Sequence, residues 1–181
     1  MIRIIGNILG YIAVMSGLVI FISVKRSRII SLKIVSDSLF LVHELCLGLF
    51  SGAALHCVAI ARSLVFYQRG RRKWADNPLW LVLFILATLI SPVLTWAGPI
   101  SLLPTSGSIV CVFGYYVKNT WLLRILSYIG EGLWLLYGVF CGSLPITLFG
   151  VVALVSLTVG MIREALHKRK LRKAPSLKQM D

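Results

Sequence analysis

Residues 31–50 read SLKIVSDSLFLVHELCLGLF, an apolar stretch that also carries a lysine, a histidine and two acids. Eleven of these residues are Leu, Ile, Val or Phe. Each of them returns about 0.3 to 0.6 kcal/mol in a membrane helix, whereas an acid such as Asp37 or Glu44 costs about 2.5 to 3.5 kcal/mol at its centre. The two contributions roughly cancel. The stretch is therefore predicted to span a membrane only where neighbouring helices shelter its charges.

The rest of the chain reads as further spans of the same length. A helix that crosses a bilayer needs about 20 mostly apolar residues. Hydropathy predicts seven such spans, at about 4–23, 31–50, 53–68, 79–97, 100–117, 122–141 and 144–162.

The connections between the spans alternate in charge. Those around Ser51–Gly52, Gly98–Pro99 and Gly142–Ser143 carry no Lys or Arg, whereas the others and the C-terminal tail are basic. Cytoplasmic loops are enriched in Lys and Arg, so the alternation predicts a multi-pass inner-membrane protein with its N-terminus outside and its C-terminus cytoplasmic. If residues 31–50 did not cross, a basic cluster would lie outside. The basic residues are Lys25, Arg26, Arg28, Arg69, Arg71, Arg72, Lys73, Lys118, Arg124, Arg163, Lys168, Arg169, Lys170, Arg172, Lys173 and Lys178.

Composition supports a membrane protein and argues against a nucleic-acid partner. The 181 residues are 58% hydrophobic and 14% charged, with a mean hydropathy of +0.89. A soluble domain carries about 25% charged residues. A net charge of +13 would suggest nucleic-acid binding in a soluble chain. Here the cations are bunched between apolar segments, so the expected partners are the lipid bilayer and, at the basic loops and tail, anionic lipid headgroups.

An internal repeat relates the two halves of the chain. A shift of 94 positions places Leu39-Phe40-Leu41-Val42-His43 on Leu133-Trp134-Leu135-Leu136-Tyr137. The same shift places Asp37 on Glu131, Gly48 on Gly142 and Arg69 on Arg163. Parallel repeats of this kind occur in SWEET-type transporters, whose substrate site lies near the midplane between the repeats.

The predicted fold is therefore an all-α, polytopic transmembrane bundle of seven helices. It consists of two parallel three-helix repeats, about 4–68 and 100–163, joined by a linker helix at about 79–97. Residues 1–165 form this domain, and 166–181 form a basic cytoplasmic tail. The tail, which is basic from Arg163 onward, is expected to be exposed and partly disordered.

Several short motifs, in order, resemble a known family. They are His43 with Leu47-Gly48, Ser51-Gly52-Ala53, Arg62-Ser63-Leu64-Val65, Leu102-Leu103-Pro104 with Gly107, Arg124, Trp134, Gly142-Ser143 and Arg163. With these motifs the sequence resembles the YgjV-type bacterial inner-membrane proteins up to about residue 165, with a distantly SWEET- or PQ-loop-like architecture. The resemblance implies an inner-membrane helical bundle and implies no activity.

Ionisable side chains inside a membrane are functional candidates because they are costly to bury. The predicted substrate-binding or coupling residues lie in the second, third and sixth spans: Asp37, His43, Glu44, His56, Arg62, Glu131, Trp134 and Tyr137.

Depth in the membrane suggests how the charges pair. Asp37 and Arg62 both lie about 9 Å from the cytoplasmic ends of their helices, so an ion pair between them is predicted. Glu44 and His56, both in the outer half, are predicted to pair in the same way. Each pair is open to a structural or a working role.

Glu131 is the sharper candidate for proton exchange. The repeat partner of Arg62 is Ser156, so no matching cation is predicted near this acid. An unpaired acid in a low-dielectric interior could exchange a proton. The alternative is an acid hydrogen-bonded to Ser127, Tyr137 or a water.

No enzyme, metal or cofactor signature is present. The sequence contains no HExxH, GxSxG, P-loop or GxGxxG motif, so no enzymatic activity is expected. The cysteines form no CxxC pair, so neither a metal nor a cofactor is predicted and all four are interpreted as packing residues: Cys46, Cys57, Cys111 and Cys141.

The preferred hypothesis is a transporter of a small molecule or ion, with a midplane site between the repeats. Its expected ligand is a small polar substrate or a proton. The alternative is a non-transporting membrane protein with a structural, partner-binding or lipid-sensing role. A homo-oligomer stays open for either.

Overall fold

The computed structural model describes residues 2–20 and 26–177, so Lys25 and Lys178 lie outside the described residues. This part of the chain contains seven α-helices and no β-strand, which confirms the all-α prediction. The helices are α1 (Ile2–Ile20), α2 (Arg26–Leu47), α3 (Phe50–Tyr67), α4 (Leu79–Leu94), α5 (Leu102–Tyr116), α6 (Thr120–Phe140) and α7 (Leu144–Leu177).

The helix ends differ from the predicted spans most at the C-terminus. The last span was predicted to end at 162, and the tail after it was expected to be partly disordered. Instead α7 continues as a helix to Leu177. Lys and Arg have high helix propensity, so the basic segment from Arg163 onward continues the apolar helix that precedes it, although it includes Pro175. Two short 3-10 turns, Lys73–Asp76 and Pro99–Ser101, lead into α4 and α5.

Six of the helices pack in a closed ring. The order around the ring is α1, α2, α3, α5, α6 and α7, and α7 packs back on α1. α4 packs against α3 and α5, on the outside of the ring. In this order α2 and α6 stand opposite each other, and their side chains meet across the interior through Lys33 and Glu131.

The two ends of the bundle differ in chemistry. At one end the turns contain Gly48, Gly98 and Gly142, each with a positive φ (77°, 92° and 63°) that other residues rarely adopt. At the opposite end Arg69 donates to the carbonyl of Tyr116. Arg124 also pairs there with Glu164, with Nη1 3.5 Å from Oε2. We call these the turn end and the basic end.

The turns after α2 and α6 are built in the same way. In each, the glycine with positive φ ends the helix and the next residue donates back to a carbonyl five positions earlier, as in a Schellman motif. These bonds are Leu49 N to Glu44 O (2.9 Å) and Ser143 N to Gly138 O (3.0 Å). The two turns are 94 positions apart, which is the shift of the sequence repeat.

The outer surface of the bundle is apolar. Large hydrophobic side chains are exposed along α1, α4 and α7, for example Ile12, Leu89 and Val155. Among the described residues, three helical segments are each long and apolar enough to cross a bilayer: Phe50–Tyr67, Thr120–Phe140 and Leu144–Leu166. α2 carries too many charges to belong to this group, and it packs between α1 and α3.

Candidate functional site

Lys33 is the central cation of the ring interior. Its side chain is buried, and its Nζ lies 3.0 Å from Glu131 Oε1 on α6 and 3.4 Å from Asp37 Oδ1, one turn along α2. Asp37 and Glu131 are the two acids that the 94-residue shift superimposes. One lysine therefore bridges the repeat-related acids across the centre of the bundle.

His56 on α3 bridges two acids of α2. Its Nδ1 lies 3.3 Å from Asp37 Oδ1, and its Nε2 lies 3.6 Å from Glu44 Oε2. Together with Lys33, these contacts form a continuous buried chain from Glu131 to Glu44. The two outermost residues on α2, Lys33 and Glu44, are eleven positions apart, which corresponds to about 16 Å of helix.

Two aromatic rings hold the imidazole in place. Phe40 stacks on His56 with centroids 5.6 Å apart and an interplanar angle of 13°. Trp134 covers the ring at 4.9 Å and 38°. Phe40 on α2 and Trp134 on α6 are also placed on one another by the 94-residue shift of the sequence.

Of the two predicted pairings, one contact is present and the other is wrong. The contact between Glu44 and His56 is present. Asp37, however, pairs with Lys33 and His56 rather than with Arg62. Equal depth does not ensure contact, because the rotation of each helix about its axis decides which side chains meet.

Glu131 was predicted to lack a cation, and this is also wrong. Lys33 reaches it from the opposite helix. The alternative partner Ser127 does not bond it either, since its buried hydroxyl has no hydrogen-bond partner within the described part of the chain. The prediction considered only Ser156, the residue that the 94-residue shift places at the position of Arg62. The cation comes instead from Lys33 on α2.

Arg62 contributes a second buried cation. It is 2% exposed, and its guanidinium lies over the ring of Tyr115 at 4.7 Å. Among residues 2–20 and 26–177 it forms no ion pair, and its Nε has no hydrogen-bond partner. A cation–π contact offsets part of the cost of burying such a charge.

A small cavity lies beside these charges. Charged and aromatic residues of α2, α3 and α6 form its polar wall, and α5 and α7 close it with residues such as Ser108 and Phe149. The space open to water centres is ≈ 30 Å³, enough for about two waters, since one needs roughly 10–15 Å³. The polar wall consists of Lys33, Asp37, His56, Arg62, Glu131 and Trp134.

His43 belongs to a different contact. Its Nδ1 lies 2.9 Å from the carbonyl of Gly6, and its Nε2 lies 3.2 Å from the hydroxyl of Ser143. A carbonyl only accepts, so Nδ1 donates to it and Nε2 accepts from the hydroxyl. The structure therefore places this predicted site residue in a link between α1, α2 and the start of α7, away from the cavity.

Tyr137 is also separate from the central cavity. It lines an open cleft of ≈ 440 Å³ at the turn end, together with Ser51, Trp96 and Cys141. Its pair Trp134, one turn away at 5.7 Å, does line the central cavity. Trp134 thus lines the central cavity, whereas Tyr137 lines the cleft at the turn end.

Gly52 on α3 makes room for Glu44. A Cβ at this glycine would lie 2.6 Å from the Glu44 carboxyl carbon. Between α6 and α7 the arrangement is reversed, because the glycine is on the earlier helix and a Cβ at Gly138 would lie 2.8 Å from Ile146 Cγ2. The absence of a side chain at Gly52 is therefore what allows an acid to be buried one turn below the turn end.

Sequence reasoning missed several residues of the site. Lys33 was counted only among the charges of the second span, although its i,i+4 spacing to Asp37 was a usable signal. Tyr115 and Phe149 sit in apolar helices and carry no signal that separates them from core residues. Arg124, which was counted with the basic residues of the connections, is buried and pairs with Glu164 at the basic end.

The cysteines and the acids do not form a metal centre. Within the described residues, no group of three or more His, Cys, Asp or Glu side chains is arranged to hold a metal ion. Cys111 is buried beside the cavity, but Cys57 is exposed, so the prediction that all four cysteines pack inside is wrong for this residue. Its position on the outer face of α3 places it away from neighbouring helices.

The fold and the site together define a helical bundle with an apolar exterior and a charged centre, the class expected of membrane proteins. The chain belongs to the Imp-YgjV family of bacterial inner membrane proteins, whose profile matches residues 4–168. No curated protein and no solved structure matches it.

Proposed function

We propose that the protein crosses the bacterial inner membrane seven times and transports a small ion or polar molecule through the centre of its ring. The observation that carries this proposal is the buried chain of charges between α2, α3 and α6, beside a cavity. Buried charges are expensive in a membrane and commonly mark an ion or substrate pathway.

The proposal includes two parallel three-helix units. Three features support it: the matching turns at Gly48 and Gly142, the lysine that bridges the related acids, and the related aromatic rings on His56. The packing of the ring is also consistent with a two-fold relation, because α1 on α7 and α3 on α5 are equivalent contacts under the shift. The site would then lie on the axis between the units, as in other parallel-repeat transporters.

The orientation follows from the charges. The connection Arg69–Lys73 lies at the basic end, opposite the turns at Gly48, Gly98 and Gly142. With the basic end in the cytoplasm, the N-terminus and the cleft beside Tyr137 lie outside. The exposed basic residues Arg71, Arg72 and Lys73 would then contact anionic lipid headgroups.

The cavity limits the size of the ligand. A volume of ≈ 30 Å³ suits an ion or a very small polar molecule in the conformation described, and it excludes a bound sugar there. The proposal assigns no enzymatic reaction to the site.

Water access distinguishes transport from a solid bundle. In a variant with all four native cysteines replaced by alanine, single cysteines are placed at Tyr137, in the cleft, and at Ala59, in the cavity wall. Leu157, which is fully buried away from the cavity, is the matched control position. We expect a membrane-impermeant thiol reagent to label position 137 from outside and position 59 more slowly, and not to label position 157.

Two results would overturn the proposal. If neither position 59 nor position 137 is labelled from either side, the bundle is solid and the non-transporting alternative holds. A reporter fused within Arg69–Lys73 that reports an extracytoplasmic location would rule out the proposed orientation with seven spans.

A further inference from the structure

We propose that the charge chain binds one exchangeable proton on His56, between Asp37 and Glu44, and that a small monovalent cation replaces this proton when it leaves. The exchange step rests on the proposed transport function. The binding of the proton rests on the geometry and the charge balance of the site, and it can be tested separately.

The first support is the hydrogen-bonding capacity of the imidazole. Both ring nitrogens of His56 face a carboxylate, Asp37 on one side and Glu44 on the other. A neutral imidazole has one N–H and one lone pair, so one nitrogen would present its lone pair to an anion. Only the imidazolium offers an N–H to both carboxylates.

The second support is the net charge of the cluster, by which we mean the charge chain together with Arg62. The chain consists of Glu131, Lys33, Asp37, His56 and Glu44. Lys33 and Arg62 carry two positive charges. With Asp37, Glu44 and Glu131 all ionised, three negative charges oppose them, which leaves one net negative charge when His56 is neutral. An uncompensated charge in a low-dielectric interior is costly. A proton on His56 makes the cluster neutral.

The other groups that face the cluster do not alter this count. α5 contributes the thiol of Cys111 and the phenol of Tyr115, and α6 contributes the phenol of Tyr137 next to Glu44, all of them neutral near neutral pH. The cavity wall from α7 is apolar. Arg124 and Glu164 balance each other at the basic end.

His43 provides an internal contrast. It is also buried, but its two nitrogens meet a carbonyl and a hydroxyl. Those partners suit one neutral tautomer, so this histidine needs no extra proton. The two histidines therefore differ in partners rather than in burial.

The path of the proton follows from the order of the groups. The proton on Nε2 breaks its N–H bond and forms an O–H bond on Glu44, which lies one turn below the turn end. From Glu44 it passes to water in the cleft beside Tyr137. The cluster then carries one negative charge.

A monovalent cation restores neutrality at that point. Asp37 Oδ1 faces Lys33 and His56, and Glu44 Oε2 faces His56. The buried Asp37 Oδ2 and Glu44 Oε1 have no hydrogen-bond partner within the described residues, so they keep lone pairs for a cation. Oxygen ligands suit hard cations, and a net charge of one excludes a divalent ion on balance. The adjacent cavity has room for such an ion with about one water.

The proton is tested by solid-state NMR of the full chain in lipid bilayers, with nitrogen-labelled histidine. At neutral pH we expect both nitrogens of His56 to carry protons and only one nitrogen of His43 to do so. Glu44→Gln and Asp37→Asn each remove one negative charge, so His56 should become neutral in either variant. Glu164→Gln, outside the cluster, is the matched control and should leave the imidazolium unchanged.

The neutral His43 signal shows in each sample that the bundle is folded. A neutral His56 in the wild type would overturn the proton site, and so would an imidazolium that persists in both variants. Either result leaves the thiol-labelling test of transport unaffected.

The exchange is tested in liposomes that contain the protein, an acidic interior and a pH-sensitive dye. Addition of external Na⁺ or K⁺ should release protons from the interior in the wild type and in Glu164→Gln. Glu44→Gln and His56→Gln should match empty liposomes. Wild-type liposomes that release no protons with either ion would overturn the exchange.

Discussion

Helices α1–α3 and α5–α7, the two proposed three-helix units, end their second helices in turns that are built alike, but they differ in what fills the space beside the turn. In the first unit the acid Glu44 on α2 lies over Gly52 on α3. In the second unit the order is reversed, and Ile146 on α7 lies over Gly138 on α6. In both, a glycine on one helix accommodates a larger side chain from the next. The same packing solution therefore holds a carboxylate in one unit and a hydrocarbon in the other.

The difference extends to the whole ring interior. The first unit supplies five ionisable residues of the cluster, whereas the second supplies Glu131 and otherwise lines the site with uncharged side chains such as Cys111, Trp134 and Phe149. At the positions equivalent to Lys33, Glu44, His56 and Arg62, the second unit has Ser127, Gly138, Gly150 and Ser156. The first unit thus supplies most of the charged side chains of the site, and the second supplies mainly uncharged side chains that pack against them. The comparison can be tested by substitutions on each side.

The largest effect is expected where the units are joined. Lys33→Met leaves Asp37 and Glu131 without their shared cation, and removal of one partner from a buried ion pair costs about 3–5 kcal/mol. We expect this loss in the free energy of unfolding, measured by denaturant titration in mixed micelles. The double variant with Glu131→Gln should recover part of the loss, because it removes one of the stranded charges. Additive losses would show that the bridge does not join the units.

A smaller loss is expected from Gly52→Ala. The new Cβ would overlap the Glu44 carboxyl group, and overpacking of a core costs about 1–3 kcal/mol. The matched control is Gly132→Ala on α6, where a Cβ meets nothing within 4 Å and alanine favours the helix. Thermal unfolding should show a lower Tm for the first variant and an equal or higher Tm for the second. A harmless Gly52→Ala would mean that Glu44 is free to move aside.

The two glycine turns should respond alike. Gly48 and Gly142 have φ angles of 77° and 63°, and a side chain in this region costs about 1–2 kcal/mol. We expect Gly48→Ala and Gly142→Ala to lower the free energy of unfolding by similar amounts, because neither Cβ meets a neighbouring atom. A clear inequality between them would contradict the equivalence of the two backbones.

The smallest effect is expected at Ser127, which occupies the position equivalent to Lys33. Its buried hydroxyl has no hydrogen-bond partner among the residues described, so Ser127→Ala removes an unsatisfied group. The free energy of unfolding should stay within about 1 kcal/mol of the wild type, on the stabilising side. A loss larger than that would reveal a partner for this hydroxyl and a polar role for the second unit.

Residue patterns predict part of the site and leave another part open. Asp37 and Glu44, seven positions apart on α2, are both buried, as the prediction that neighbouring helices shelter their charges requires. The pairing of Glu44 with His56 also follows from depth. Asp37 does not pair with Arg62, because its carboxylate is in contact with Lys33 and His56 instead. His43 and Tyr137 show the same limit, since neighbouring positions on a helix can face different spaces.

What the sequence determined by itself is the number of helices, their apolar exterior and the clustering of basic residues at one end. These features follow from local composition, because the length and hydropathy of a helical segment are set by residues that are adjacent in the chain. Only the tertiary structure decided that Lys33 joins Asp37 to Glu131 and that His56 lies between two acids. Such pairings depend on the rotation and crossing of helices far apart in the chain, and on glycines such as Gly52 that let one side chain reach the centre.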